Sequence, residues 1–443
     1  MRLVSLLIVA AACGEAPRPA PVPPPTPPPA AVPAVVTPPP KPAPPPADPR
    51  LTADLASFDE MWQKVADTFW DPKFDGVDWN AVRTELRPKV EASKSRDEAR
   101  KVMVDALRRL GKTHFGIAPS EDAMPGAPAG DAEPGVELRI LDHEVVIVGT
   151  EPDSPAAKSR LKPGMVVEAV NDVVLAPVIA AAAQEKSSLT PLFQVRAVMN
   201  LVKGVADSKV SLRIKGEKAP VELARVHIGR TASLGNLGNA PLIYEARMLD
   251  KSTAYLRLSI FLDPATVMPQ IEKDLTAFAS ARGLIIDLRG NPGGIGGMAM
   301  GITGYLVDVA GQKLGTMQLR GSSLDFVINP QVVQFRGRVA VLIDELSAST
   351  SEILAGGLQD LHRARIFGRT SPGAALPSVI DKLPNGDRFQ HAIANYTSMG
   401  SKVLEGAGVT PDVIVPLDLK TLRGKQDPVI AAATKWIAGK EKP

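Results

Sequence analysis

Between residues 253 and 361, three apolar runs, TAYLRLSIF, GLIIDLRG and VAVLIDEL, each lead into a stretch with helical spacing. Strands that alternate with helices pair through crossover connections, so this pattern predicts an α/β layer. Helices are expected over 264–281, from about 294, and over 350–361. In such layers, ligands and catalytic groups gather beyond the carboxyl ends of the strands. The segments that follow these strands are therefore where chemistry is expected.

The rest of the chain divides by composition. Proline accounts for 42 of the 443 residues, and 18 of these fall between Pro17 and Pro49. A stretch of Pro, Ala and Val buries no core and favours an extended polyproline conformation. Residues 14–50 are thus expected to form a tether, spanning roughly 100 Å at ~3.1 Å per residue. Ahead of it, Arg2 precedes an apolar run over residues 3–12 that ends at Cys13, the one cysteine. About ten residues cannot span a bilayer, but they suit the core of a secretory signal. Ala10, Ala11 and Ala12 before Cys13 resemble a bacterial lipobox, although Leu is usual where Ala10 stands. That resemblance implies lipidation of Cys13 and anchoring to a membrane. A plain signal peptide with an incidental cysteine is the alternative.

Over 51–120, Leu55, Phe58, Met61, Trp62, Val65 and Phe69, then Val102, Val104, Leu107 and Leu110, recur at helical spacing. They predict helices broken near Asp71-Pro72 and Gly76, ending in the loop GKTHFG. Residues 121–226 change to short β-rich runs with a helical insert over 177–204. Within them, Ser154, Pro155, Ala156, Ala157, Leu161, Pro163, Gly164 and Asn171 resemble the pattern of a PDZ domain, with Asp172 replacing the usual Gly. This implies that the loop Gly135, Val136, Glu137, Leu138 receives a peptide C-terminus on its amides, and that the adjacent strand pairs with the peptide. A small β domain used only for packing is the plainer reading. The α/β core then covers 227–425, and a C-terminal helix and tail cover 426–443.

Two motifs follow core strands. In Asp287-Leu288-Arg289-Gly290-Asn291-Pro292-Gly293-Gly294, paired glycines at a helix start can turn amides toward a cavity, as a developing oxyanion requires. A simple tight turn explains them equally well. In DELSASTSEI, a serine lies beside the positive end of a helix. Ser349 with Glu352 three residues on is also a capping box, which spacing alone favours.

Taken in order, the helical region, the PDZ-like segment, DLRGNPGG and SASTSEILAGGLQD resemble the C-terminal processing (tail-specific) serine peptidases over roughly 58–418. The resemblance implies a multidomain fold of mixed α+β and α/β character, with a crotonase-like core of ββα layers, and polypeptide substrates. It implies Ser349 as nucleophile, with an oxyanion hole from the amide of Thr350 and one from Gly293 or Gly294. One version of the family uses a lysine in a Gly-Lys-Gly turn 25 residues downstream of the serine; here that turn is Gly373-Ala374-Ala375, so Ala374 holds the lysine position. The other version, like the tricorn peptidases, uses Ser, His and Glu with a hydroxyl residue beside the histidine. Thr113-His114 and Glu405 match it. A neutral imidazole would then take the serine proton, and Glu405 would hold the ring directly or through Thr113. A helix-terminal polar pair and a solvated loop carboxylate are the bland readings of these residues.

Lys+Arg at 51 against Asp+Glu at 48 gives +3, too balanced for a chain that grips nucleic acid. His143, His227, His362 and His391 form no metal-ligand spacing and no nucleotide loop is present, so neither metal nor cofactor is expected. The expected protein is a secreted, lipid-anchored serine endopeptidase of the bacterial cell envelope, with its PDZ-like domain engaging substrate segments or C-termini. Ala374 keeps open a catalytically inactive, peptidase-like binding protein; an envelope scaffold is a third possibility. The oligomeric state has no signature in the sequence.

Overall fold

The computed structural model describes residues 48–119, 130–183, 187–233, 239–424 and 426–439. The signal segment, Cys13 and the tether up to residue 47 lie outside the described residues. Helix α1 (Pro49–Thr68) begins two residues inside the expected tether, because the Asp48 carboxylate accepts from the Arg50 amide at 2.9 Å and Pro49 suits the first turn. Helices α2 (Trp79–Glu91) and α3 (Arg96–Arg108) follow. Phe58, Met61, Val65, Leu86 and Met103 are fully buried where the three meet. Phe389, from a distant part of the chain, completes this core. Arg100 donates to both oxygens of buried Asp387 at 2.8 and 2.7 Å, fixing the helices to that segment. The loop after α3 is thereby held at a set position and runs into β1 (Gly116–Ala118).

The next unit is an antiparallel sheet of β2 (Val136–Leu141), β3 (Glu144–Thr150), β4 (Val166–Val170), the short β5 (Val173–Val174), β6 (Lys209–Ile214) and β7 (Val221–Ala224). Its order is β2-β3-β4-β6-β7, with β5 on β4, so β2 is an edge strand. The helical insert is two helices, α4 (Leu175–Ala182) and α5 (Thr190–Val202). Val198 and Val202 of α5 pack on Leu138, Ile147 and Leu212. A hairpin of β8 (Arg230–Ser233) and β9 (Asn239–Leu242) leads out of it.

The core sheet comprises β10 (Tyr244–Met248), β11 (Thr253–Leu258), β12 (Gly283–Asp287), β15 (Arg338–Ile343), β16 (Ala364–Gly368) and β20 (Val413–Ile414), in that order. All pairings are parallel except β10 with β11. Helices α6 (Pro264–Ala277), α7 (Gly296–Gly304) and α8 (Thr350–Asp360) follow β11, β12 and β15 as the alternation predicts. Leu284 and Ile286 face the cluster on their side, while Ile285, Ala340 and Leu342 pack against Val429 and Ala433 of the C-terminal helix. That helix, Pro428–Ile437, comes after a four-residue turn at Leu419–Leu422. Burial on both faces explains why these strands are continuous apolar runs. Two further sheets were not anticipated. One joins β13 (Lys313–Leu319), β14 (Ser322–Val327) and β19 (Ala394–Ser398); the other joins β1 to β18 (Arg388–Ala392) and β17 (Ser378–Lys382).

Candidate active site

Beyond the carboxyl end of β15 the chain turns through 344–349 and enters α8 at Thr350. Ser349 has φ 56° and ψ −117°. An N-cap residue is normally extended, so this is a strained turn of the kind that thrusts a side chain out of a strand-to-helix junction. The Glu352 amide donates to the Ser349 carbonyl at 2.8 Å. The capping box suggested by spacing is present, its Glu352 arm accepting from the Ser349 amide at 3.1 Å. The turn is braced by buried Asp344, which accepts from the amides of Gly290 and Leu346 at 2.9 and 3.1 Å, and from Arg139 Nε at 2.7 Å.

The glycine pair after β12 lies directly against this turn. Gly293 has φ +101°, and a Cβ there would stand 2.6 Å from Ser349 Cβ and 2.9 Å from the Thr350 nitrogen. Its own amide donates to Asn291 Oδ1 at 2.8 Å, so Gly293 contributes by the absence of a side chain rather than by its N–H. Asn291 is fully buried and its Nδ2 donates to the Leu258 carbonyl at 2.7 Å. The Thr350 hydroxyl donates to the Gly294 carbonyl at 2.8 Å. The amides of Gly294 and Thr350 make no hydrogen bond among the described residues, and they are the pair of donors left for an oxyanion.

The second half of the site comes from the loop after α3. Thr113 donates its amide to Glu405 Oε1 at 2.7 Å and its hydroxyl to Glu405 Oε2 at 2.8 Å. The hydroxyl also lies 2.8 Å from His114 Nδ1. With the threonine proton directed to the carboxylate, Nδ1–H is the donor to Thr113 and Nε2 carries the lone pair. His114 itself sits at φ +59°, a left-handed position rare for residues other than glycine, and one that recurs at functional turns. Burial, with the positive charge of Arg196 adding to it, holds the imidazole down to about 4, so the ring is neutral near pH 7. Burial raises the Glu405 carboxyl from its ordinary value, against the pull of the Thr113 amide and hydroxyl.

The segment 371–375 ties the halves together. The Ala374 carbonyl accepts from the Ser349 amide at 2.8 Å, while the next amide, Ala375, donates to Glu405 Oε2 at 3.3 Å. Ala374, at the position of the family lysine, is therefore in direct backbone contact with Ser349. Lys112, the cation beside Thr113 in sequence, is paired with Asp75 at 2.8 Å. Glu352 holds the segment: Oε1 accepts from Ser371 Oγ at 2.6 Å and the Gly373 amide at 2.8 Å, and Oε2 from the Ala374 amide at 2.9 Å. Burial pushes this carboxyl up to about 7 against those donors. Spacing read Glu352 as a helix cap and missed this clamp. The structure thus joins Thr113, His114 and Glu405 into one chain, and Ser349, Thr350, Gly293 and Gly294 into one turn. Between the Ser349 hydroxyl and the His114 ring there is no direct hydrogen bond among the described residues.

In the β domain, Gly135 has φ +77° and its carbonyl accepts from the Glu151 amide at 2.9 Å. Val136 and Glu137 pair with Thr150 and Gly149, and Leu138 is buried. Glu137 is turned to the core, where Arg257 donates to it at 2.7 Å and to Glu151 at 2.8 Å. Arg139 from the same strand reaches Asp344 of the turn that holds Ser349. These ion pairs between separate units carry no periodicity in the sequence.

Comparison with known proteins agrees with this architecture. Residues 252–415 match the model of Peptidase family S41, and residues 55–108 match the tricorn protease C1 domain. A chloroplastic C-terminal processing peptidase of Tetradesmus obliquus is 24% identical over 395 residues, covering 84% of this chain and 80% of that protein. The carboxy-terminal processing protease CtpA of Bacillus subtilis is 22% identical over 355 residues, covering 79% and 70%. Among solved structures, the photosystem II D1 C-terminal processing protease superposes with a TM-score of 0.55 at 20% identity, covering 84% of this chain and 96% of that one. Residues 252–415 therefore carry a peptidase family S41 domain, and the chain is a serine peptidase.

Proposed function

We propose that the protein is a C-terminal processing endopeptidase that cuts polypeptides with Ser349 as nucleophile, His114 as base, and Glu405 acting on His114 through Thr113. The observation that carries this reading is the hydrogen-bonded chain from Glu405 through the Thr113 hydroxyl to His114 Nδ1, with both links at 2.8 Å. A chain of this kind fixes the tautomer, leaves Nε2 as the proton acceptor, and stabilises the imidazolium formed on attack. The missing hydrogen bond between ring and hydroxyl does not count against this reading, because catalytic hydrogen bonds are commonly long before substrate binds. The amides of Thr350 and Gly294 then face the oxyanion, where each such donor is worth ~10²–10³ in rate. With Ala374 at the lysine position and Lys112 paired to Asp75, the imidazole is the better-supplied base.

The β domain engages the substrate along the edge of β2, adding the peptide as a strand from the loop Gly135, Val136, Glu137, Leu138. Cys13 carries a lipid anchor outside the cytoplasm, and the Pro-rich tether sets the reach of the enzyme from the membrane. Among the described residues no helix is long and apolar enough to cross a membrane. The reading is tested by incubating an unfolded polypeptide with the wild type, Ser349→Ala and His114→Ala proteins and following fragments by mass spectrometry. Cleavage by the wild type and its loss in both variants are expected; wild-type cleavage by Ser349→Ala removes the assignment.

A further inference from the structure

Helix α5 reaches the catalytic loops from the β domain. Its Leu192 and Val195 are buried together with Leu346 of the nucleophile turn. Ser188, just ahead of the helix, donates its hydroxyl to the Pro372 carbonyl, next to Gly373. The helix is therefore pinned both to the turn that presents Ser349 and to the segment that contacts Glu405. Arg196 follows Val195 on this pinned helix, and its charge acts on the His114 ring. The residue keeps solvent access by surface area although protein crowds its guanidinium and disfavours the charge, and among the described residues no carboxylate, carbonyl or ring pairs with it. Other arginines around the site are partnered: Arg139 with Asp344, Arg257 with Glu137 and Glu151, Arg369 with Glu345.

A positive guanidinium that no counter-ion offsets and whose charge is felt by the base works against catalysis, because it opposes the imidazolium that forms as Ser349 loses its proton. An anion seated on the guanidinium offsets that opposition, and a carboxylate fits its planar fork with two parallel hydrogen bonds. We propose that Arg196 selects substrates by binding a carboxylate of the polypeptide close to the scissile bond. An acidic side chain and a free chain terminus offer the same group. The inference rests on the Ser349 and His114 reading of the site, so its test reads binding separately from turnover.

The test uses fluorescent peptides in which Asp or Glu is scanned across a cleaved sequence, each with an Asn or Gln counterpart and each made as a C-terminal acid and a carboxamide. Affinity is read by anisotropy on the Ser349→Ala protein, with and without Arg196→Met, Arg196→Lys or Arg196→Glu, and kcat/KM is read on the corresponding Ser349 enzymes. One carboxylate position should bind about tenfold tighter than its amide counterpart. That advantage should vanish in Arg196→Met, survive in part in Arg196→Lys, and reverse in favour of the amide counterpart in Arg196→Glu. An advantage that follows the C-terminal acid identifies the chain end as the source; one that follows an internal position identifies a side chain. Folded Arg196→Met protein that keeps the wild-type ranking, or a wild type that ranks no carboxylate above its amide, overturns the proposal. Turnover persisting in Ser349→Ala would instead remove the nucleophile assignment and leave the binding comparison readable.

Discussion

Replacing Thr113 by Val removes the one hydroxyl that lies between Glu405 and His114 while keeping shape and volume. The Thr113 amide still donates to Glu405 Oε1 at 2.7 Å, and Ala375 still donates to Oε2, so the carboxylate stays in place. What is lost is the acceptor for His114 Nδ1–H and the charge-assisted donor to Glu405, each at 2.8 Å. A hydrogen bond to a charged group is worth about 1.5–3 kcal/mol. If the loss falls on the transition state, where the imidazolium needs this acceptor, kcat drops roughly 10- to 150-fold. KM should change little, since neither group is placed to hold ground-state substrate. Thr113→Ser restores the hydroxyl and should recover most of the rate, which a merely structural role for the methyl would not. The assay is steady-state cleavage of a quenched peptide, with thermal melts to show equal folding. A Thr113→Val enzyme within about threefold of wild-type kcat would refute the relay through the hydroxyl.

Gly293→Ala should abolish at least ~99% of kcat/KM while leaving a folded protein, because the added Cβ meets Ser349 Cβ at 2.6 Å in a left-handed backbone and small displacements of reacting groups cost about 10²-fold; peptide cleavage checks it. Asp344→Asn leaves the buried Arg139 guanidinium without its anion and should cost about 3–5 kcal/mol by urea denaturation, with a loss under about 1 kcal/mol contradicting the bracing role assigned to that pair. With His114 held down to about 4 by burial and Arg196, kcat/KM should rise with pH through an acid limb near 4 as the ring loses its proton, then level off. A limb near the ordinary value of about 6.5 would contradict the buried, neutral ring, and Arg196→Met should move the limb upward.

The parts of the fold visible in the sequence were those with strong local pattern. Continuous apolar strands such as Leu284–Ile286 and Val339–Ile343, buried on both faces, stand out at once, as do helices with apolar residues every third or fourth position. Helix limits shifted by a few residues where a turn outcompeted continuation: the α6 segment stops at Ala277 rather than 281, and α7 starts at Gly296 after Gly293 and Gly294, whose positive φ is not helical. The strands β17, β18 and β19 escaped notice because RFQHA and ANYTS mix polar and apolar residues and find their partners far away in sequence. At the site, Ser349, His114 and Glu405 were legible only through family order, since spacing alone favoured a cap for Ser349. Glu352 looked like that cap partner, yet its four donors come mostly from a segment about 20 residues away. The engagement of the Gly293 amide by Asn291, two residues back, is a local turn that the Asn-Pro-Gly order could have suggested, whereas the packing of α5 on Leu346 joins segments about 150 residues apart and has no sequence signature.

The account stands on an imidazole at position 114, rather than an amine, activating the hydroxyl at 349. The direct measurement is the second-order rate at which a fluorophosphonate labels Ser349, mapped by peptide mass spectrometry, in the wild type, His114→Ala and Lys112→Ala. Labelling confined to Ser349, slowed by several orders of magnitude in His114→Ala and unchanged in Lys112→Ala, is predicted. Equal labelling of wild type and His114→Ala, or labelling that fails only when Lys112 is removed, would contradict it.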